Sequence, residues 1–403
     1  MCMRAERGSA QSLLRADKCD HALVVGACRS AMRCSAAPEL NGKWVPSPAQ
    51  AGEHLACRNW MYTWPNATHR GNWPISHGIY HYLHLCDGKQ VAPYHTFESS
   101  GCTLAGMASA ARSVRVLQRL RNRTLYFVGD SLTAQHFIAT VCFLVAPLLR
   151  KSTAPRAGAA PVLRLPSYRL DFWPLSREHT HQPRLCIDFP VPPPRTEEAG
   201  AARGQLELPT ANASICLVLA ATSMWGAEDR RQGRKGHVVQ AEGAVRGLAE
   251  RRWLRSRDVV VANVGLHVNN ATLVAAAVGA LLASFAALPN AGRPRLLWRE
   301  TAPQHFGGRV GGRYGAAMRT GERKGGCRPH NASDRGEDGE GNMLNRAVAP
   351  LLARAGVPIL RIWRPSAARW MEHLGNNDCS HYCHPSGVLD LWVRLLLDWL
   401  VVD

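Results

Sequence analysis

From Leu125 onward, short apolar runs alternate with longer stretches of helical length. Leu125-Tyr126-Phe127-Val128 is a buried-strand signal that ends on the turn Gly129-Asp130-Ser131, and the LTAQHFIATVCFLVAPLLR segment behind it reads as a helix. The same short-run signature returns at Ile215–Ala220, Asp258–Ala262, Arg295–Trp298 and Val357–Trp363. Helices are predicted at 272–288, at 343–355 and from Ser386 to Leu400, and Gln232–Arg257 is basic and polar, ending in a surface helix. Lys151–Pro161 and Val191–Pro209 are Pro/Ala/Gly-rich loops, and Gly307–Gly341 is rich in glycine and charge without an apolar period. Strands that alternate with helices predict an α/β fold of three layers, αβα, with a parallel sheet covered on both faces. Reactive groups in such folds collect beyond the carboxyl ends of the strands.

The first hundred residues have another character. Residues 1–33 read as a poorly ordered leader. Cys34 to Cys102 is rich in Cys, Trp, Tyr, His and turn residues, which predicts a disulfide-stapled, loop-rich N-terminal subdomain over 34–110. The main domain is then 111–403, with loop insertions near 191–211 and 307–342.

Composition narrows the partners. Over 403 residues the apolar fraction of 46% and the charged fraction of 20% are those of a chain with a sizeable core. The net charge of +19 suits nucleic acid, anionic membrane or acidic polysaccharide alike. Zinc-finger spacing, RNP-like aromatics and heptads are all missing, so nucleic acid is not the expected partner. Thirteen cysteines without a single CxxC pair read as a distributed disulfide set. Asn-x-Ser/Thr sequons at Asn66, Asn122, Asn212, Asn270 and Asn331 add to a secretory reading. The apolar run at Ala22–Cys28 is short for a signal peptide, and Ala271–Leu288 reads as a buried helix rather than a membrane span. The expectation is that the start of the gene product is missing or misassigned.

Four segments carry candidate chemistry. Ser131, between a strand end and a helix N-terminus, sits where backbone N–H groups and the helix dipole favour negative charge; the alternative is a capping turn closed by Asp130 or Ser131. In NNDCSHYCHP, Asp378 and His381 are three apart, so a helical turn or a loop brings the carboxylate to the imidazole, as a serine nucleophile requires. Cys379, His381, Cys383 and His384 are too close together to surround one tetrahedral ion, so no metal is expected, and Cys379 and Cys383 read as disulfide anchors. Asn263-Val264-Gly265-Leu266-His267 offers an amide and a Gly N–H as oxyanion donors, or alternatively a turn that satisfies its own backbone. In Trp298-Arg299-Glu300-Thr301-Ala302-Pro303-Gln304-His305-Phe306, Arg299 is either a buried ion-pair partner or a substrate contact, and His305 a cleft wall.

Together these segments resemble the plant-type trichome birefringence-like polysaccharide O-acetyltransferases, in the PC-esterase group of the SGNH/GDSL hydrolase superfamily. The resemblance rests on VGDSLTAQHF, DCSHYCHP, NVGLH, RETAPQHF and the later Gly325-Gly326-Cys327, in that order over about residues 34–403. More loosely, Asn41-Gly42-Lys43-Trp44-Val45 and Cys34, Cys57, Cys86 and Cys102 are similar to the family's lead-in. Leu266, inserted before His267, departs from the family's pattern. The resemblance implies an SGNH-hydrolase-like catalytic domain and acyl transfer through an acetyl-serine. Ser131 would be the nucleophile, His381 the general base and Asp378 its orienting carboxylate, with the oxyanion held by the Ser131 N–H, Asn263 and Gly265. Asp130, His267, Arg299 and His305 are left as candidate substrate contacts. No bound cofactor is implied, only an acetyl donor as co-substrate and a polysaccharide or oligosaccharide acceptor. The implied site of action is the Golgi lumen or secretory pathway, with membrane association only through a missing N-terminal anchor. The basic runs Arg230, Arg231, Arg234, Lys235 and Arg251, Arg252, Arg255, Arg257 would suit an anionic glycan, and Trp60, Trp64 and Trp73 would stack on sugars; a solvated face and loop anchoring are the bland alternatives. An acetyl esterase on the same three residues and a catalytically silent glycan binder are the competing functions.

Overall fold

The structure, a computed structural model, describes residues 32–37, 40–47, 94–104, 109–152, 166–174, 181–191, 211–219, 236–266, 270–306, 326–330, 342–375, 378–384 and 386–402. The leader 1–31, Cys57, Cys86, Trp60, Trp64, Trp73, Asn66, His267, Asn331, the basic run 230–235 and most of both loop insertions lie outside the described residues.

Chain order begins with β1 (Gly42–Pro46), β2 (His95–Ser99), α1 (Ala110–Arg119), β3 (Thr124–Gly129) and α2 (Ser131–Ser152). Three strands follow, β4 (Ser167–Pro174), β5 (His181–Val191) and β6 (Ala211–Leu219), then α3 (Gly236–Glu250) and β7 (Val259–Asn263). The remainder is α4 (Ala271–Ala286), β8 (Arg295–Arg299), α5 (Met343–Arg354), β9 (Ile359–Leu360), α6 (Trp363–Ser366), β10 (His373–Gly375), β11 (Asp378–Tyr382) and α7 (Gly387–Val402). The protein is thus mixed α/β, with a central seven-stranded sheet in the order β4-β5-β6-β3-β7-β8-β9. From β6 to β9 every pairing is parallel, whereas β5 runs antiparallel to both β4 and β6. The sheet is therefore mostly parallel, with an antiparallel hairpin on one edge where a wholly parallel sheet was expected.

Strand alternation explains the layers. Leu125 and Phe127 pack with Ile215, Leu217, Val259 and Val261 against α1, α2 and α7. Tyr126 and Val128 pack with Val218, Val260 and Ala262 against α3, α4 and α5. Helices cover both faces, an arrangement that fits a three-layer fold. The helices start where the sequence supplies caps: Ser109 Oγ accepts the Arg112 N–H (3.3 Å) before α1, and Asn270 Oδ1 the Leu273 N–H (3.1 Å) before α4. Outside the sheet, β1 pairs with β2 and β10 with β11, both antiparallel. The β1–β2 ribbon is docked by Trp44 Nε1, which donates to Pro365 O (3.0 Å), and by Arg394 of α7, which donates to Phe97 O (3.1 Å). Disulfides join Cys34 to Cys102, Cys186 to Cys216 across β5 and β6, and Cys327 to Cys379. Among the described residues no helix is long and apolar enough to cross a membrane.

Candidate active site

Ser131 is the first residue of α2, at the carboxyl end of the central strand β3. Asp130 Oδ1 accepts the N–H groups of Leu132 (3.1 Å) and Thr133 (3.3 Å), which makes it the cap of α2 and leaves the next hydroxyl unspent. Its other oxygen accepts the Leu266 N–H (3.2 Å) from the loop beyond β7. Capping and chemistry are therefore divided between neighbours, Asp130 and Ser131. As the first helical residue, Ser131 has no partner four residues back for its own N–H, which points out at the positive end of the helix dipole.

Ser131 Oγ lies 2.6 Å from His381 Nε2, and His381 Nδ1 lies 2.7 Å from Asp378 Oδ2. An Nδ1–H donated to the carboxylate leaves Nε2 as the acceptor of the serine proton. Asp378 Oδ1 accepts the N–H groups of Ser380 and His381, each at 3.1 Å. Burial alone would raise the Asp378 carboxyl, but the hydrogen bond and charge of His381 and these backbone donors hold it well below the ordinary carboxylate range. The sequence pointed to a helical turn or loop for this pair; the structure has a strand, β11, whose start is curled by those two backbone bonds so that residues three apart still meet. The site is open: the His381 and Asp378 side chains keep 13% and 29% of their exposure, and Ser131 keeps 8%.

Two glycines admit the close approaches that bring these loops together. A Cβ on Gly129 would overlap Asn263 O and Thr133 Oγ1, and one on Gly265 would overlap Thr301 Oγ1. Asn263 spends its amide on Arg299 O (2.8 Å) and Thr301 Oγ1 (3.1 Å), and its Oδ1 accepts the Gly265 N–H (3.3 Å). The Gly265 N–H is thus spent within its own turn and the Asn263 amide on the segment after β8, so in this state the Ser131 N–H, without a partner in the helix, is the donor that remains.

Arg299, 1% exposed, donates to Leu132 O (2.9 Å) and Thr133 Oγ1 (3.3 Å), stands 3.9 Å from Asp130 Oδ1 and lies over the Trp392 ring at 4.9 Å. Burial lowers its pKa to about 10, opposed by Asp130, so it remains a cation beneath the nucleophile turn. Of the two roles open to it, this geometry is that of the ion-pair partner. His305 is fully buried: Nδ1 is 2.6 Å from His373 Nε2 and Nε2 is 3.0 Å from Ala367 O. His373 Nδ1 in turn lies 3.0 Å from the carbonyl of His381. His384 is buried as well. Among the described residues no group of three His, Cys, Asp or Glu side chains is placed to hold a metal ion.

Gln135 carried no signal in the sequence. One turn after Ser131 on α2, its amide donates to Tyr382 O (2.6 Å) and accepts the Tyr382 N–H (3.0 Å). That pair of bonds fixes the residue next to His381 to the helix that carries Ser131. On the other side, Cys379 is bonded to Cys327, and His305 N–H donates to Cys379 O (2.9 Å).

Comparison with protein-family models, curated proteins and solved structures finds no match to this chain.

Proposed function

We propose that the protein is a serine-dependent acyltransferase that O-acetylates a secretory-pathway or cell-wall polysaccharide through an acetyl-serine. The observation that carries this reading is the continuous relay from Ser131 Oγ through His381 to Asp378 at the carboxyl end of the sheet. Ser131 Oγ attacks the acetyl carbonyl carbon of the donor while His381 Nε2 takes the hydroxyl proton. The imidazolium is stabilised by Asp378, and the oxyanion by the Ser131 N–H and the α2 dipole. Asn263 reaches the oxyanion by exchanging its Thr301 bond. Collapse expels the donor's leaving group with the proton from His381 and leaves acetyl-Ser131. A sugar hydroxyl then gives its proton to His381 and attacks the acetyl carbon; cleavage of the Ser131 Oγ–acetyl bond, with return of that proton from His381 to Oγ, releases the acetylated sugar and restores Ser131. The order and sequence of the motif segments, similar to the trichome birefringence-like family, support the SGNH-like assignment and a polysaccharide acceptor. The disulfides fit an oxidising compartment, and the Golgi lumen is the proposed one. Acetyl esterase activity is the second reading, favoured by the exposure of His381 and Asp378 to water.

A serine-directed fluorophosphonate should label Ser131, with labelling lost in Ser131→Ala and His381→Ala. Both variants should lose turnover at nearly unchanged melting temperature, and Asp378→Asn should fall by about 10⁴ because the His381 tautomer is disturbed. Near-normal rates in any of the three would overturn the assignment. Acetate release from a donor, measured with and without an oligosaccharide acceptor, separates the two readings. Release at one rate with no acetylated sugar leaves only the esterase.

A further inference from the structure

Asn122, Asn212 and Asn270 head the sequons that fall on described residues, and the Ser131 relay uses none of them. All three are exposed, whereas Asn263, Asn342 and Asn345, which head no sequon, are buried. Two of the three have a local reason to be asparagine. Asn122 takes φ 56° in the turn between α1 and β3, a left-handed conformation that asparagine tolerates. Asn270 caps α4 through Oδ1, which accepts the Leu273 N–H (3.1 Å). Neither role uses the side-chain nitrogen, and Nδ2 of all three makes no hydrogen bond among the described residues. Nor does either role call for a hydroxyl two residues on. Thr272 is exposed, and its Oγ1 makes no hydrogen bond among the described residues.

The fold brings two of these positions together. The Asn122 N–H donates to Asn212 O (2.9 Å), and Thr124 pairs with Ser214 in the β3–β6 register. Both asparagines line a cavity of about 540 Å³ that has Tyr126 and Trp253 among its walls, so a sugar joined to either has space beside the backbone. They stand at the amino ends of β3 and β6, while Ser131 follows the carboxyl end of β3. Six residues of strand, about 20 Å, therefore separate them from the nucleophile. Asn270 stands instead beyond the carboxyl end of β7, at the start of α4.

We propose that Asn122, Asn212 and Asn270 carry N-linked glycans. This rests on the secretory placement in the proposed function and not on acyl transfer. The Asn Nδ2 attacks the anomeric carbon of a lipid diphosphate-linked oligosaccharide. The bond from that carbon to Nδ2 forms, its bond to the diphosphate oxygen breaks, and the lipid diphosphate leaves. The amide proton passes to a base of the host transferase. Transfer takes place on the nascent chain, before β3 and β6 pair, so the Ser214 hydroxyl is free then although it donates to Asp188 Oδ1 in the fold (2.5 Å). The carboxamide oxygen is untouched, so Asn270 keeps its bond to the Leu273 N–H and still caps α4. The neighbouring glycans on Asn122 and Asn212 shield the amino edge of the sheet and leave the Ser131 relay uncovered.

The full chain, secreted from a eukaryotic cell behind a cleavable signal sequence, tests this. Peptide N-glycosidase in heavy-oxygen water turns each occupied asparagine into labelled aspartate, and peptide mass spectrometry should find that label at Asn122, Asn212 and Asn270. Asn122→Asp, Asn212→Gln and Thr272→Ala should each remove one glycan, read as a step in gel mobility; Thr272→Ala does so with the Asn270 cap in place. Ser131→Ala should carry all three glycans. The Asn122→Asp/Asn212→Gln variant should keep the wild-type rate of fluorophosphonate labelling at Ser131. In secreted protein with the Cys327–Cys379 disulfide formed, an unlabelled asparagine among the three overturns the proposal for that residue and leaves the secretory reading standing. A chain recovered only with Cys327 and Cys379 reduced overturns the secretory reading and the proposal with it.

Discussion

Two buried histidines behind the relay have an arithmetic that bears on pH. Three contacts join Ala367 O, His305, His373 and His381 O in a line, and each needs one proton. Two neutral imidazoles carry two ring protons, so the full set exists only if the pair holds one extra proton. Burial opposes that proton: desolvation, then His373 and His330, push His305 well below its ordinary range. Desolvation lowers His373 to about 4, opposed by its bond to the His381 carbonyl and by Asp378, with His381 and His330 acting in the lowering direction. The unfolded chain binds these protons near pH 6.5, whereas in the fold His373 takes its proton only near pH 4 and His305 is held well below its ordinary range. Stability should therefore fall as pH drops through that window, by about 1.4 kcal/mol per pH unit for each histidine still neutral in the fold. His373→Asn keeps a donor toward His381 O but removes one titrating group. Its urea midpoint should be lower at pH 7 and should depend less steeply on pH between 6.5 and 4. An unchanged slope would sink the linkage.

At the level of elements, the relay depends on how α2 is held against β11. Gln135 does this with two hydrogen bonds to one residue, Tyr382, in the manner of a strand neighbour. Gln135→Leu leaves a buried N–H and C=O without partners, at a cost of about 1–3 kcal/mol. It should also lower turnover about tenfold or more through a looser Ser131–His381 contact, while leaving both residues in place. Slower fluorophosphonate labelling at full eventual occupancy would show that. Labelling at the wild-type rate would confine Gln135 to stability. This pair was invisible in the sequence because nothing local links residues 247 apart. What was legible was local: β3, β7, β8, α4, α5 and α7 follow from apolar runs and their period. The β4–β5 hairpin was not: residues 167–190 drew no assignment, since Pro174, Pro183 and Pro190 and interspersed charges interrupt any apolar period, whereas an antiparallel sheet edge tolerates them. The run Val357–Trp363 yields only a two-residue strand, since the Trp363 N–H is taken by Glu300 Oε2 (2.7 Å) where α6 begins. Gln232–Arg257 was read as polar, yet Ala244, Val245 and Leu248 of α3 are buried against the sheet. In the site, Ser131, Asp378 and His381 stood out by residue type and placement. The bonding of the Asn263 amide did not, because its partners Arg299 and Thr301 lie at and just beyond the end of β8.

For the whole molecule, the relay joins positions 250 residues apart, so its geometry is a property of the assembled fold. Sheet packing places Ser131 rigidly, since α2 is buried between the sheet and α7. The His381 end has less support: β11 pairs with the three-residue β10 and lies outside the main sheet. The Cys327–Cys379 disulfide compensates there, with one sulfur placed between Asp378 and Ser380 and the other on the segment that bonds His305 O through the Arg328 N–H (2.9 Å). It closes a loop of 52 residues, worth about 4 kcal/mol if it acts by restricting the unfolded chain. Mild reduction should therefore lower both melting temperature and turnover, and Cys327→Ser/Cys379→Ser should reproduce the loss of turnover with every other disulfide intact. A chelator should change neither quantity. Wild-type turnover in the double variant would mean that β10, Gln135 and the His305–Cys379 bond hold β11 without the disulfide, which then serves stability and does not position His381.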